Sequence, residues 1–143
     1  MSVARVFVDT NVLISGLIFR HGKEAALLEL ADKRVVGLVL SARVIAEAQD
    51  VFDRKFTDRV HVLAEFLQRG RYELAPEPGE ADLQVAVRLV RDEDDVPILA
   101  SILASKPDVA LTGDKDLLTD EVKAIAPTCR CAEYLAQRSE TDD

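Results

Sequence analysis

Apolar residues along this chain fall into short β-branched runs and, between them, longer stretches of helical periodicity. The short runs predict buried strands, and apolar residues three or four positions apart predict helices that pack on a sheet. The predicted strands cover residues 5–8, 35–40, 72–75, 109–112 and 127–131. The predicted helices cover residues 11–19, 23–32, 42–53, 59–69, 80–91, 96–105 and 132–138. Because strands and helices alternate, the pattern predicts a parallel sheet with helices on both faces.

Residues with known preferences for helix ends punctuate this pattern. Gly22 separates the first two predicted helices, and the loop 76–79 contains two prolines. Ser41 and Asp58 precede helical stretches and are predicted N-caps, because their side-chain oxygens can accept a backbone hydrogen bond. Pro97 suits the first turn of its helix, where a missing N–H donor costs nothing.

The chain is long enough for one domain and carries a strong negative charge. Its 143 residues, 48% of them apolar, predict a single domain over 1–138 followed by a polar tail over 139–143. The net charge of −8 argues against a surface that attracts nucleic acid everywhere, but it allows a local basic rim. Residues 1–5 lack the features of a signal peptide, and no apolar run approaches the roughly 20 residues of a membrane span. These features predict a cytoplasmic protein without a membrane partner.

The two cysteines, Cys129 and Cys131, predict neither a disulfide nor a zinc site. A single residue separates them, and such neighbours rarely form a disulfide. Zinc needs four ligands, and the two histidines, His21 and His61, are isolated in the sequence. We therefore interpret the cysteines as small apolar residues of the last strand, in a reducing cytoplasm.

Four acidic residues lie where predicted strands give way to helices: Asp9, Glu47, Asp95 and Asp114. In parallel sheets, ligands bind outside the carboxyl ends of the strands. Carboxylates gathered there repel one another unless a cation lies between them, and oxygen ligands favour Mg²⁺ or Mn²⁺. The four positions therefore predict a metal-dependent phosphoester enzyme.

Each acid also has an ordinary structural explanation. Asp9 can cap the first helix, and Asp95 or its neighbour can cap the helix that begins near residue 96. Asp114 and Asp116 can close a turn, and Glu47 can be a surface residue of an amphipathic helix. A shared site is favoured because four independent surface acids need not fall at the same edge of the sheet.

Small and polar residues accompany the acids. Thr10 and Asn11 follow the first acid, and Thr112 and Gly113 precede the last. Such neighbours can orient a carboxylate or allow the backbone to approach closely. Glu47 can lean back over the sheet edge, because helical side chains point toward the helix N-terminus.

The acids lie in four short motifs: Val8-Asp9-Thr10-Asn11-Val12-Leu13, Ser41 with Glu47, Asp94-Asp95-Val96-Pro97-Ile98-Leu99-Ala100, and Leu111-Thr112-Gly113-Asp114-Lys115-Asp116-Leu117-Leu118. These motifs resemble those of the PIN-domain family of metal-dependent ribonucleases. Their order and spacing agree with the family over nearly the whole chain, and the first and last motifs are the most specific. The chain is most similar to the bacterial and archaeal PIN group of toxin–antitoxin pairs, related to VapC-type toxins.

The resemblance implies a three-layer α/β/α sandwich with a central, mainly parallel sheet. It also implies one or two Mg²⁺ or Mn²⁺ ions per site, and RNA hydrolysis that leaves a 5′-phosphate and a 3′-hydroxyl. The family's catalytic and metal-binding acids carry over to Asp9, Glu47, Asp95 and Asp114, with Asp116 as a further metal ligand.

The resemblance also suggests supporting residues. Asn11 and Thr112 match polar positions near the family's site. Asp92 and Asp94 fit less well than Asp95, which stands three residues before an isoleucine as in the family pattern.

Basic residues near the predicted rim are candidates for contacts with RNA. Arg43 and Lys115 are preferred because they neighbour site motifs, and such phosphate contacts would weaken as salt increases. The full set is Arg20, Lys23, Arg43, Arg54, Lys55 and Lys115.

The expected function is a divalent-metal-dependent endoribonuclease that acts as the toxin of a toxin–antitoxin pair. The expected partners are an RNA substrate, a cognate antitoxin protein and a second copy of the chain in a homodimer. One alternative is a PIN-like RNA-processing or RNA-binding protein without a toxin role. Another is a phosphoaspartate receiver, but receivers place an acidic pair at the first strand and a phosphorylated Asp at the third, whereas acids recur at later junctions here.

Overall fold

A parallel sheet forms the centre of the molecule. The computed structural model describes residues 3–141. Within that range the sheet has five strands in the order β3-β2-β1-β4-β5, and every neighbouring pair is parallel. The strands are β1 (Ala4–Val8), β2 (Val36–Leu40), β3 (Glu73–Leu74), β4 (Val109–Leu111) and β5 (Thr128–Cys129).

Helices connect the strands and cover the sheet. They are α1 (Thr10–Ile18), α2 (Lys23–Asp32), α3 (Ala42–Lys55), α4 (Val60–Arg69), α5 (Glu80–Leu89), α6 (Asp95–Ser105), α7 (Asp120–Lys123) and α8 (Cys131–Thr141). Two 3₁₀ turns, Thr57–Arg59 and Lys115–Leu117, precede α4 and α7. Helix α2 packs on α1 and α8, and α6 packs on α3 and α5. The predicted three-layer α/β/α architecture is confirmed.

The register of the strands determines which residues meet at the carboxyl edge of the sheet. Val8 pairs with Leu111, so that β1 and β4 end side by side. The Asp9 N–H then donates to the Leu111 carbonyl oxygen at 3.1 Å. Val6, Phe7 and Val8 are fully buried because β1 lies in the middle of the sheet and helices cover both faces. The residues that follow β1 and β4 are therefore held at fixed positions by the core.

Helix ends were predicted with mixed success. The bounds of α2 and the Ser41 N-cap are confirmed, and the Ser41 hydroxyl accepts the Val44 N–H at 3.0 Å. The predicted Asp58 cap is wrong, because Asp58 lies inside a 3₁₀ turn and α4 begins only at Val60. The 3₁₀ turn contains Asp58 and Arg59, which were predicted to cap and to begin the helix.

The end of the chain also differs from the prediction. Cys131 does not belong to the last strand but begins α8, and both cysteines are free thiols. Helix α8 runs to Thr141, beyond the predicted end at residue 138. Of the predicted polar tail, residues 142–143 lie outside the described residues, as do residues 1–2 at the other end of the sequence.

None of the helices within residues 3–141 combines the length and the apolar composition needed to cross a membrane.

Candidate metal centre

Asp9 is the acid that follows β1, and its carboxylate is held on both sides. Its Oδ1 accepts the Val12 N–H at 3.0 Å, which caps α1, and its Oδ2 accepts a hydrogen bond from the Thr112 hydroxyl. Only 7% of Asp9 is exposed. Burial raises the pKa of Asp9, whereas the hydrogen bonds from Thr112 and Val12 oppose that shift by favouring the ionised form. Asp9 can therefore cap α1 and also belong to the candidate metal centre.

The loop after β4 holds two further acids through a chain of hydrogen bonds. The Thr112 hydroxyl, which donates to Asp9, accepts the Asp114 N–H at 3.0 Å. The Asp114 Oδ1 in turn accepts the Asp116 N–H at 2.9 Å, which starts the 3₁₀ turn at Lys115. One short loop thereby fixes the side chains of Thr112 and Asp114 and the backbone of Asp116 at the carboxyl edge of the sheet.

Asp95 supplies the third carboxylate and comes from a helix, not from the loop after β4. It is the first residue of α6, and only 8% of it is exposed. Its Oδ2 is buried and has no hydrogen-bond partner among residues 3–141. Carboxylate oxygens of Asp95, Asp114 and Asp116 all lie within 4.8 Å of one another. We call these three residues the acidic trio.

The close carboxylates of the acidic trio favour the binding of a cation. Burial, followed by the neighbouring Asp114 carboxylate, raises the pKa of Asp95 to about 7. A buried oxygen without a donor, next to two further carboxylates, costs free energy unless a proton or a metal ion compensates it. The possible metal ligands in the acidic trio are all carboxylate oxygens. They fit a hard divalent ion such as Mg²⁺ or Mn²⁺ and not a metal that prefers thiolate ligands.

Glu47 lies near this edge but outside the acidic trio. Its carboxylate accepts hydrogen bonds from the Thr10 hydroxyl at 3.2 Å and from the Arg43 guanidinium at 2.7 Å. The same guanidinium reaches Asp94 at 3.3 Å, and its hydrogen bond with Glu47 raises the pKa of Arg43. Arg43 is thus engaged by two carboxylates, and Glu47 is oriented by a cation and a hydroxyl.

The remaining predicted residues lie around the acids. Asn11 is exposed and lines a cavity together with the buried Thr112. Lys115 is exposed in the 3₁₀ turn between two members of the acidic trio. Of the five predicted metal ligands, the structure gathers Asp95, Asp114 and Asp116 into one group of the described residues.

Sequence reasoning missed three arginines near this edge. Arg88, in the last turn of α5, and Arg91, just after that helix, share a cavity with Asp116. Arg130 precedes α8 and shares a cavity with Lys23. No local motif marks these arginines, because they reach the site only through the order of the strands and the packing of the helices.

The site belongs to a recognisable family. Residues 5–116 match the family model described as the PIN domain. The chain belongs to the PIN-domain family. The match covers β1 through the loop after β4, and thus every acid of the candidate centre.

Solved structures of low sequence identity share the fold. A chain of VapBC2 from Rickettsia felis, solved bound to a DNA fragment from its promoter, is 16% identical with a TM-score of 0.63; the alignment covers 88% of this chain and 98% of that chain. A chain of FitAcB from Neisseria gonorrhoeae is 17% identical with a TM-score of 0.60, over 88% of this chain and 97% of that chain. No curated protein matches the sequence significantly. At these identities the likeness shows the PIN fold alone.

Proposed function

We propose that this protein is a divalent-metal-dependent endoribonuclease that hydrolyses RNA phosphodiester bonds. The observation that carries the proposal is the buried, unpartnered Oδ2 of Asp95 beside the carboxylates of Asp114 and Asp116. Membership of the PIN-domain family supports the same chemistry. A bound Mg²⁺ or Mn²⁺ would supply hydroxide near neutral pH and neutralise charge that grows on the phosphate.

The residues of this chain have separable roles in the proposal. Asp95, Asp114 and Asp116 would hold the ion, and Asp9 would add negative charge next to Asp114. Thr112 keeps Asp9 and the backbone of Asp114 in fixed positions through its single hydroxyl. Such a group, which acts by orienting a ligand, commonly affects metal affinity by about 10–100-fold.

Glu47 has a different role. Its carboxylate is already neutralised in part by Arg43 and is oriented by Thr10. It is therefore assigned to a position at the rim of the centre, where it would orient a water molecule or a second ion. Asn11 and Lys115 are assigned to contacts with the substrate.

The biological role that we propose is the toxin of a toxin–antitoxin pair. The motifs of this chain resemble VapC-type toxins, and its fold is shared with chains of VapBC2 and FitAcB. The proposal implies a cognate antitoxin, a cytoplasmic location and a homodimer as the working assembly.

RNA cleavage tests the enzymatic part directly. Purified protein should cleave single-stranded RNA with Mg²⁺ or Mn²⁺ and stop when EDTA is added. Asp114→Asn, which retains size and shape, should remove the activity while circular dichroism shows a folded protein. Cleavage that persists in the folded Asp114→Asn variant, or that needs no metal, would contradict the proposal.

Growth of a host cell tests the toxin role separately. Induced expression should arrest growth, Asp114→Asn should not, and co-expression of a cognate antitoxin should restore growth. A protein that cleaves RNA in vitro but never arrests growth would instead favour a role in RNA processing.

A further inference from the structure

Two cavities flank the loop that carries the acidic trio, and each contains two basic side chains. The first, of about 240 Å³, is lined by Lys23 and Arg130 together with Thr112 and Gly113 of the loop. We call it the Lys23 cavity. The second, of about 360 Å³, is lined by Arg88 and Arg91. It also touches the loop, at Asp116 and Thr119, and we call it the Arg88 cavity.

The two cavities lie at opposite ends of one short stretch of chain. Gly113 borders the Lys23 cavity, and Asp116 borders the Arg88 cavity. Three residues of extended chain span at most about 10–11 Å. Asp114, a member of the acidic trio, lies between these two positions. A polyanion that crosses the trio would therefore meet one basic pair before it and the other after it.

The four cations that line these two cavities are unpaired. Lys23, Arg88, Arg91 and Arg130 are exposed, and none forms an ion pair within 4.0 Å with a residue in the range 3–141.

By contrast, the basic residues of a third cavity at this edge are already neutralised. Arg43 pairs with Glu47 and Asp94, and Arg54 pairs with Asp50 at 2.9 Å. The unpaired cations of these three cavities lie only beside the loop, although the protein as a whole carries a charge of −8. An anion is thus drawn to the two cavities and not to the third.

We propose that the Lys23 cavity and the Arg88 cavity bind the backbone phosphates on the two sides of the cleaved bond in a single-stranded RNA. This inference rests on the proposed ribonuclease function and adds the path of the strand across the site. Three of the four cations are arginines, and the planar guanidinium suits two-point contact with a phosphate. The proposed path of the RNA strand does not cross the third cavity.

Each cavity also contains one carboxylate outside the acidic trio that opposes an anion. Glu24 lines the Lys23 cavity, and Glu121 lines the Arg88 cavity. Their removal should therefore strengthen binding of a polyanion. That expectation is useful because a variant that unfolds cannot bind more tightly.

Binding of a fluorescein-labelled single-stranded RNA of mixed sequence tests the inference. Asp114→Asn serves as the common background so that the RNA stays intact. Two double variants remove the basic pairs: Lys23→Gln with Arg130→Gln, and Arg88→Gln with Arg91→Gln. A matched control, Lys106→Gln with Arg59→Gln, removes the same total charge at exposed positions that are outside both cavities and unpaired within residues 3–141.

Each test pair should weaken binding about tenfold or more at low salt, because each pair would supply charge-assisted hydrogen bonds to a phosphate. The slope of log K against log salt should fall by about 0.7 for each lost phosphate contact. The control should leave both values near those of the background. Glu24→Gln and Glu121→Gln should each tighten binding.

Three results would overturn the inference: equal losses in the control and test pairs, no RNA binding by the background protein, or no tightening in either glutamate variant. Failure of the proposed function would look different. In that case RNA would still bind through the two cavities, but the protein with native Asp114 would not cleave it with any divalent ion.

Discussion

The Thr112 hydroxyl and the Asp9 carboxylate, 103 residues apart in sequence, form a buried hydrogen bond. The same hydroxyl accepts the Asp114 N–H, so one oxygen couples the ends of β1 and β4. Both strands end at the carboxyl edge of the sheet because Val8 and Leu111 are in register. Asp9, Asp114 and, through the Asp114 carboxylate, Asp116 therefore share one hydrogen-bonded support, whereas Asp95 joins the centre from the start of α6.

Thr112→Val should loosen that support. Valine keeps the shape of threonine but leaves the Asp9 Oδ2 without its donor and the Asp114 N–H without its acceptor. We expect a loss of about 1–3 kcal/mol in the free energy of unfolding, and metal affinity reduced by about 10–100-fold. Urea unfolding and calorimetry measure these two quantities. Thr112→Ser, which keeps the hydroxyl, should recover most of both; equal effects of serine and valine would show that the hydroxyl is unimportant.

Asp95→Asn should stabilise the metal-free protein at neutral pH. The pKa of Asp95 is raised from its ordinary value of 3.8 to about 7, so the folded state binds more protons than the unfolded state between those values. The stability of the parent protein therefore falls as pH rises from about 4 to about 7, and each pH unit in that window costs about 1.4 kcal/mol. Asp95→Asn has no carboxylate to ionise at this position, so its stability does not fall for this reason as pH rises.

Unfolding in urea with EDTA, at about pH 4 and about pH 8, measures the effect. The two proteins should be similar in stability at the lower pH, and Asp95→Asn should be more stable by at least about 1 kcal/mol at the higher pH. A variant that is less stable than the parent at the higher pH would show that ionisation of the Asp95 carboxylate does not destabilise the folded protein. Loss of nuclease activity should accompany the gain in stability.

Arg43→Gln separates two roles for this arginine. Because its pairs with Glu47 and Asp94 are partly exposed, the change should alter stability by no more than about 1 kcal/mol. If Arg43 positions Glu47, kcat should fall with little change in KM, and if Arg43 holds RNA, KM should rise with kcat unchanged. We expect the first result from steady-state kinetics with RNA. The second would restore the sequence-based assignment of Arg43 to substrate binding.

Gly16→Ala should destabilise the packing of α1 on α2. A Cβ at Gly16 would lie 2.6 Å from Leu28 Cδ1 and 3.0 Å from the Glu24 carbonyl oxygen. Overpacking costs about 1–3 kcal/mol, and the better helix propensity of alanine returns at most about 1 kcal/mol. Thermal unfolding should thus show a lower Tm. Gly113→Ala, whose Cβ would meet no atom within 4 Å, is the control, and a similar Tm for both variants would contradict this account.

Much of the architecture follows from local sequence signals. The alternation of apolar runs and helical stretches predicted the parallel sheet, since each element buries one recognisable pattern. Helix α2 was predicted at both ends because Gly22 precedes it and its apolar spacing is regular. Helix α4 was not, because the 3₁₀ turn Thr57–Arg59 takes up residues whose sequence also suits a helix.

The candidate site depends more on long-range geometry. The prediction that acids follow strands is confirmed for Asp9 and Asp114, but it is wrong for Asp95, which follows helix α5, and for Glu47, which lies within α3. The strand order that makes β1 and β4 neighbours could not be predicted from the sequence. Asp116 joins the acidic trio because a 3₁₀ turn brings it back toward Asp114, which spacing alone does not reveal. Arg88, Arg91 and Arg130 carried no motif, and only tertiary packing brings them to the site.

Calorimetric titration of metal-free protein with Mn²⁺ tests the central claim most directly, because it does not depend on knowing the RNA. The acidic trio should bind Mn²⁺ with heat that saturates, and Asp95→Asn and Asp114→Asn should each weaken that binding severely while remaining folded. Arg59→Gln, which lies outside the site, should bind as the parent does. Saturable binding that is unchanged in both aspartate variants, or no binding by the parent protein at millimolar Mn²⁺, would contradict the assignment of the acidic trio as a metal centre.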